Sequence, residues 1–134
     1  MKKKKHKRGY YVDKADKAFS IYIREKTRQR YQSDICPLCE SVEIQCNFHW
    51  IHKAQGHSGR WLESNAIGAC MGCNGLMERD AFKFFKWYKN NISPTKLDRV
   101  YRYIKRTTKK YSNLDLLDIE AKYQKKYNEL NVDA

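Results

Sequence analysis

Two Cys-x-x-Cys pairs, Cys36/Cys39 and Cys70/Cys73, divide this chain of 134 residues, and 30 residues lie between them. Two thiols separated by two residues can chelate one Zn²⁺ ion, and two such pairs complete a tetrahedral thiolate shell. Whatever residues 40–69 form must therefore begin and end at the same metal. Four thiolates leave no open coordination position, so this zinc is expected to be structural and any chemistry must come from other side chains. The fifth cysteine, Cys46, falls outside both pairs and reads as a small buried apolar residue. An odd cysteine count in a chain without an export signal favours metal over disulfides.

The second constraint is charge. Lys and Arg number 28 against 15 Asp and Glu, a net charge of +13, and the excess sits in two blocks. Residues 1–30 carry 12 basic and 3 acidic side chains and residues 81–110 carry 10 and 1, whereas 31–80 carry 3 and 6 and 111–134 carry 3 and 5. Two basic blocks flanking a nearly neutral centre call for a polyanion. A nucleic-acid backbone is the first choice, because binding by Lys and Arg releases condensed counterions; a membrane surface or an acidic protein are weaker readings. A hydrophobic content of 41% is too high for a wholly disordered tail. No apolar run approaches the roughly 20 residues of a spanning helix, and the N-terminus MKKKKHKRGYYVDKADKAF lacks the apolar stretch of a secretory signal. The expectation is a cytoplasmic protein with no membrane partner.

Length suits one domain. Residues 1–12 hold six Lys or Arg and read as a flexible basic arm, followed by a single domain over 13–134. From Asp13, a capping residue, Ala15, Ala18, Phe19, Tyr22 and Ile23 recur at helical spacing to about Arg30. Val42, Ile44 and Cys46 alternate with polar residues, and the β-prone run Phe48–Ile51 is the expected partner strand of a hairpin. Gly56, Ser58 and Gly59 mark a loop, and a short helix is expected over Asn74–Glu78. Asp80 opens a helix with Phe82, Phe85 and Tyr88 on one face, stopped before Pro94. Leu97, Val100, Tyr101 and Ile104 define another, and Ser112 caps a last one striped by Leu116, Ile119, Tyr123, Tyr127 and Leu130. The fold class is α+β and mainly helical: a zinc-stapled ββα core, about 34–80, with flanking basic helices over 13–30 and 80–130.

Between and just after the cysteine pairs, the order is a strand histidine (His49), an asparagine sixteen residues later (Asn65), then Cys-x-x-Cys and Asn74. The segments His49-Trp50-Ile51-His52-Lys53-Ala54-Gln55-Gly56 and Asn65-Ala66-Ile67-Gly68-Ala69-Cys70-Met71-Gly72-Cys73-Asn74 resemble those of the HNH, or ββα-metal, nuclease superfamily. His52 stands where that superfamily commonly has proline. A closer resemblance is to bacteriophage recombination proteins of the NinG/Rap type. It is carried by the lysine-rich start, Lys14-Ala15-Asp16-Lys17-Ala18-Phe19-Ser20-Ile21-Tyr22-Ile23-Arg24, His49-Trp50, Arg60-Trp61-Leu62-Glu63-Ser64-Asn65, Cys70–Asn74 and the closing helix around Leu116–Tyr123. Phe48 occupies a position where the phage family usually has Gly and many HNH enzymes a metal ligand.

The resemblance implies a metal-dependent DNA endonuclease that hydrolyses phosphodiester bonds, on branched or Holliday-junction DNA in phage recombination, in the cytoplasm of a bacterial host. It implies His49 as general base, Asn65 holding the loop and orienting His49 through its amide, and Asn74, with Glu78, as ligands of a catalytic Mg²⁺ or Mn²⁺ ion beside the structural Zn²⁺ at Cys36, Cys39, Cys70 and Cys73. Lys53 and Arg60 are candidate phosphate grips, with Lys83, Lys86, Arg102, Lys105 and Arg106 on the basic helices. A homodimer would match the two-fold symmetry of a four-way junction. The alternative from another class is a non-catalytic zinc-stapled module that binds nucleic acid, and a third reading is a basic scaffold that recruits recombination proteins.

Overall fold

The computed structural model describes residues 6–52 and 57–131. Its architecture is α+β and mainly helical, with one two-stranded sheet. In chain order the elements are α1 (Arg8–Tyr31), β1 (Cys46–His49), α2 (His57–Arg60), a 3-10 turn (Glu63–Asn65), β2 (Ala66–Ala69), α3 (Met71–Leu76), α4 (Ala81–Asn91), α5 (Lys96–Arg106) and α6 (Asn113–Asn131).

Helix α1 starts earlier than the capping pattern predicts, so residues 8–12 of the expected arm are helical and Asp13 is not the cap; residues 1–5 of that arm lie outside the described residues. Aromatic docking accounts for the extension. The His6 and Tyr10 rings stack at 3.8 Å, Tyr11 and Val12 pack against the α1–α6 core, and Arg8 donates to Asn113 Oδ1 at 3.3 Å. Along α1 the buried residues are Ala15, Ala18, Phe19, Tyr22, Ile23 and Thr27, the i, i+3, i+4 series expected from the sequence. The helix ends at Gln32, which takes the left-handed conformation (φ 51°).

The predicted hairpin does not form. Residues 34–44 instead close on themselves around the first cysteine pair: Cys36 N–H donates to Val42 O at 2.7 Å, Ile44 N–H donates to Asp34 O at 2.8 Å, and Ile35 bridges Glu43. Strand β1 pairs antiparallel with β2, twenty residues further on, in the register Cys46↔Ala69, Asn47↔Gly68, Phe48↔Ile67, His49↔Ala66. Strand alternation therefore puts Phe48 on one face and Asn47 and His49 on the other. Phe48 is fully buried against Trp50 and Phe84, at centroid separations of 5.0 and 5.2 Å.

Helix α1 seats on β2 at backbone distance. Thr27 Oγ1 donates to Ile23 O at 2.8 Å and accepts the Gly68 N–H at 2.7 Å. A Cβ at position 68 would lie 3.0 Å from both Thr27 Oγ1 and Ile44 Cγ2, so a side chain there would require Thr27 or Ile44 to give by a few tenths of an ångström. Helix α4 packs on the sheet through Phe84 and Tyr88, while Phe82 is 78% exposed; the expected Phe82–Phe85–Tyr88 face is corrected accordingly. Five aromatic residues in seven positions leave no periodicity to choose a side. Helix α5 buries Leu97, Val100 and Ile104 and leaves Tyr101 at the surface. Helix α6 opens with a reciprocal cap, Asp115 N–H to Ser112 Oγ at 3.1 Å and Ser112 N–H to Asp115 Oδ2 at 2.8 Å, and packs along α1 through Leu116 and Tyr123. No helix among the described residues is long and apolar enough to cross a membrane.

Candidate functional site

The four paired cysteines converge. Their Sγ atoms all lie within 4.8 Å of one another, with Cys36–Cys73 at 4.0 Å and Cys39–Cys70 at 3.7 Å. Tetrahedral ligands at a Zn–S distance of about 2.3 Å stand roughly 3.8 Å apart, so this cluster can hold a metal ion such as zinc. Cys36, Cys70 and Cys73 are buried and Cys39 is the outermost. Burial pushes the Cys36 and Cys73 thiols up. At Cys39 burial acts in the same direction but is outweighed by backbone N–H groups of Ser41 and Val42 and by hydrogen bonds from Cys70 and Cys73, which bring the thiol down to about 7. Cys70 Sγ also accepts the Cys73 N–H at 3.3 Å, so the sulfur caps α3 at the end where the helix dipole favours negative charge. The cluster thus brings the start of α3, at the end of β2, against the turn that carries Cys36 and Cys39.

That arrangement builds a cleft of about 230 Å³ whose lining includes Asp16, Asn47, His49, His52, Asn74 and Glu78. His49 ends β1, Asn74 lies in α3, and Glu78 sits in the turn that follows. The expected helix over 74–78 starts earlier, at Met71, and stops at Leu76, where the Arg79 and Asp80 N–H groups close onto Leu76 O. Glu78 reaches the cleft all the same. His49 Nε2 lies 2.8 Å from the Arg60 carbonyl oxygen. A carbonyl only accepts, so Nε2 carries a proton in this bond.

Asn65 holds the loop but does not act on His49 as expected. Its fully buried side chain accepts from Ile51 N–H at 2.8 Å and donates to Ile51 O at 2.9 Å and Gly59 O at 3.0 Å. It replaces the next rung of the ladder beyond β1 and fixes α2, which in turn presents the Arg60 carbonyl to His49. Its influence on the imidazole runs through the loop rather than through an amide–imidazole bond.

Arg60 is likewise placed differently from the sequence reading. Its Nε donates to Asp16 Oδ1 at 2.9 Å and its Nη2 to Asp16 Oδ2, while Trp61 Nε1 donates to Asp16 Oδ1 at 3.0 Å. This two-pronged bond to Asp16 raises the guanidinium pKa and commits it to α1, so Arg60 is a structural clamp rather than a phosphate grip. Lys53 lies outside the described residues. Lys83 and Lys86 are exposed on α4, and Arg102, Lys105 and Arg106 are exposed on α5. Sequence reasoning missed Asp16 and Asn47. Asn47 was legible as the residue two before His49 on the same strand face; Asp16 comes from a helix far away in the chain, and no spacing rule marks it.

Further ties hold the loop between the strands from outside. Tyr123 O–H donates to Trp61 O at 2.9 Å, and Glu63 accepts from Lys126 at 2.7 Å and Lys26 at 3.3 Å. Burial alone would raise the Glu63 carboxyl, but the hydrogen bonds from Lys126 and Tyr22 and the charges of Lys26 and Lys126 bring it down to about 2. An unfolded glutamate titrates near about 4.3, so between that value and about 2 the unfolded chain binds the extra proton and stability falls as the pH falls. Urea unfolding at pH 7 and pH 3 should show Glu63→Gln less stable than the parent at pH 7, with the difference shrinking at pH 3. An unchanged difference would contradict the linkage.

Among the described residues, the four cysteines are the only group of three or more His, Cys, Asp or Glu whose donor atoms converge. No protein-family model, curated protein or solved structure matches this chain.

Proposed function

We propose that this protein is a metal-dependent DNA endonuclease of the HNH (ββα-metal) kind, hydrolysing phosphodiester bonds on branched DNA. The observation that carries the reading is the convergence of His49 from β1, Asn74 from α3 and Glu78 from the next turn on one cleft, above a cysteine cluster that fits structural zinc. The antiparallel pair β1–β2, joined through α2 and the 3-10 turn and followed by α3, supports the reading, although the strands are not the ones the sequence pattern predicts. Phe48 does not interfere, since its ring is buried on the opposite strand face.

The cleft suits Mg²⁺ or Mn²⁺ better than a second zinc. Mg²⁺ is usually held by one or two carboxylates together with waters and substrate phosphates, rather than by a full protein cage. Glu78 and the Asn74 amide oxygen offer such hard donors, with Asp16 on the same wall engaged by Arg60 and Trp61. When bound, the ion supplies charge stabilisation at the phosphate and the departing 3′ oxygen. His49 accepts the proton of the attacking water at Nδ1, and the resulting imidazolium keeps its Nε2–H bond to the Arg60 carbonyl. Asn65, Asp16 and Tyr123 hold the segment that supplies this carbonyl.

The exposed cations of α4 and α5 give the DNA its footing. Neutralising Lys83, Lys86, Arg102, Lys105 and Arg106 together should weaken binding to any DNA sequence and flatten its salt dependence. For every phosphate that the protein no longer neutralises, the slope of log K against log salt changes by about 0.9; an unchanged slope in a filter-binding titration would remove these helices from the interface.

The defining experiment incubates the zinc-loaded protein with linear, flapped and four-way DNA of equal length, with and without Mg²⁺ or Mn²⁺. Ion-dependent cleavage with preference for branched DNA is expected. The second reading, a non-catalytic zinc-stapled binding module, is favoured by the absence of a second converging group of His, Cys, Asp or Glu donors among the described residues. Tight binding without any ion-dependent cleavage would select it. A homodimer would supply two cleavage centres to a symmetric junction, and sedimentation of the protein–junction complex measures its stoichiometry.

A further inference from the structure

Beside the candidate catalytic cleft runs a second, larger groove of about 580 Å³, which shares His49, His52 and Glu78 with it. Leu97 and Phe85 line it, Phe82 and Tyr101 stand at its edge 78% and 46% exposed, and Lys89 and Asp98 add charge. Together with the groove, these two exposed rings make a contiguous exposed apolar surface, the kind that marks a binding site. The same two helices carry exposed Lys83 and Lys86 on α4 and exposed Arg102 and Lys105 on α5, with Lys105 Nζ 5.6 Å from the Tyr101 ring centroid. Exposed cations on the two helices that present these rings fit a single nucleic-acid strand, whose phosphates meet the charges while its bases stack on the rings. A buried protein helix would not need those cations, and paired DNA keeps its base faces inside the stack.

We propose that the groove holds an unpaired nucleobase, stacked on Phe82 and Tyr101, from the strand whose phosphate lies at His49. The inference rests on the nuclease reading of the adjoining cleft and deepens it: the protein recognises branched DNA by accommodating a base that pairing has released. Asp98, which lines the groove, offers a carboxylate that can accept from an exocyclic amino group. Extruding a base from a perfect duplex costs unstacking energy, which a branch point or bulge has already met.

The test uses zinc-loaded full-length protein, without added divalent ion so that the DNA stays whole. Its probes are a duplex with a single bulged 2-aminopurine and a fully paired duplex of equal length. The parent should bind the bulged DNA about tenfold more tightly and quench its fluorescence, as expected for one stacked base. The variant Phe82→Ala/Tyr101→Ala removes two exposed rings and should lose both the preference and the quenching while binding the paired duplex as before; Phe82→Trp/Tyr101→Trp should retain both. An alanine variant with unchanged preference and quenching overturns this proposal while leaving the nuclease reading intact. Failure of the parent to bind either DNA overturns both. A parent that self-associates in sedimentation, with the alanine variant monomeric and the DNA preference unchanged, assigns the groove to a second copy and also overturns it.

Discussion

Replacing His49 by alanine is expected to cut ion-dependent DNA cleavage by at least about a hundredfold, the usual contribution of a positioned general base. DNA affinity and zinc content should stay close to the parent's. The expectation follows from placement. The imidazole lies at the end of β1, half-buried, with its ring stacked near Phe19 at 6.2 Å and its Nε2 held by the Arg60 carbonyl. It belongs to neither the cysteine cluster nor the cations of α4 and α5, so removing it separates chemistry from binding. The check is a single-turnover cleavage assay on four-way DNA beside a binding titration, with protein purified free of contaminating nuclease. Equal cleavage by mutant and parent would refute the role of His49. His49→Gln, which keeps a donor for the Arg60 carbonyl but has no basic nitrogen, should be as inactive as the alanine variant.

The second large effect concerns the cysteines. Cys36→Ser or Cys73→Ser should abolish stable folding rather than trim it, and purified parent should carry one equivalent of zinc. Structural zinc contributes an apparent ~10–16 kcal/mol in small metal-folded peptides, while a whole domain is stable by only about 5–15 kcal/mol. Losing the ion therefore removes an amount comparable with the entire margin. The damage should spread beyond the metal. Cys36, Cys70 and Cys73 share one core with Phe48, Trp50, Phe84 and Tyr88, and α3 is fixed by the same cluster. Metal analysis and thermal melts before and after treatment with a strong chelator check this. Less than about half an equivalent of zinc, or an unchanged melting temperature after its removal, would contradict the staple.

The helices could be read from the sequence where apolar residues keep a clean period. Ala15, Ala18, Phe19, Tyr22 and Ile23 in α1 and Leu116 and Tyr123 in α6 are buried as their spacing requires. The cysteine cluster was legible for a different reason: thiol spacing encodes chelation directly, without knowledge of the intervening fold. Strand pairing was not legible. The alternation around Val42, Ile44 and Cys46 marks extended backbone, but nothing local shows that β1 bypasses its neighbour and pairs with residues 66–69. At the site, His49, Asn74 and Glu78 arrive in one cleft from positions that motif order picks out, whereas Asp16 and the Arg60 clamp depend on a helix 44 residues away. Arg60 looks like a phosphate ligand in sequence because charge is visible there and its partner is not.

The ties from Tyr123 to Trp61 and from Lys126 to Glu63 bear on how the molecule is made. While a ribosome is still producing the chain, both strands and all four thiols emerge before α6 does. The cysteine pairs and the ties of Asn65 and Asp16 to the loop behind the imidazole are complete in the chain by then, whereas the ties from Tyr123 and Lys126 wait for the segment beyond Asn113. The last two ties on that loop are therefore added only when the end of the chain arrives.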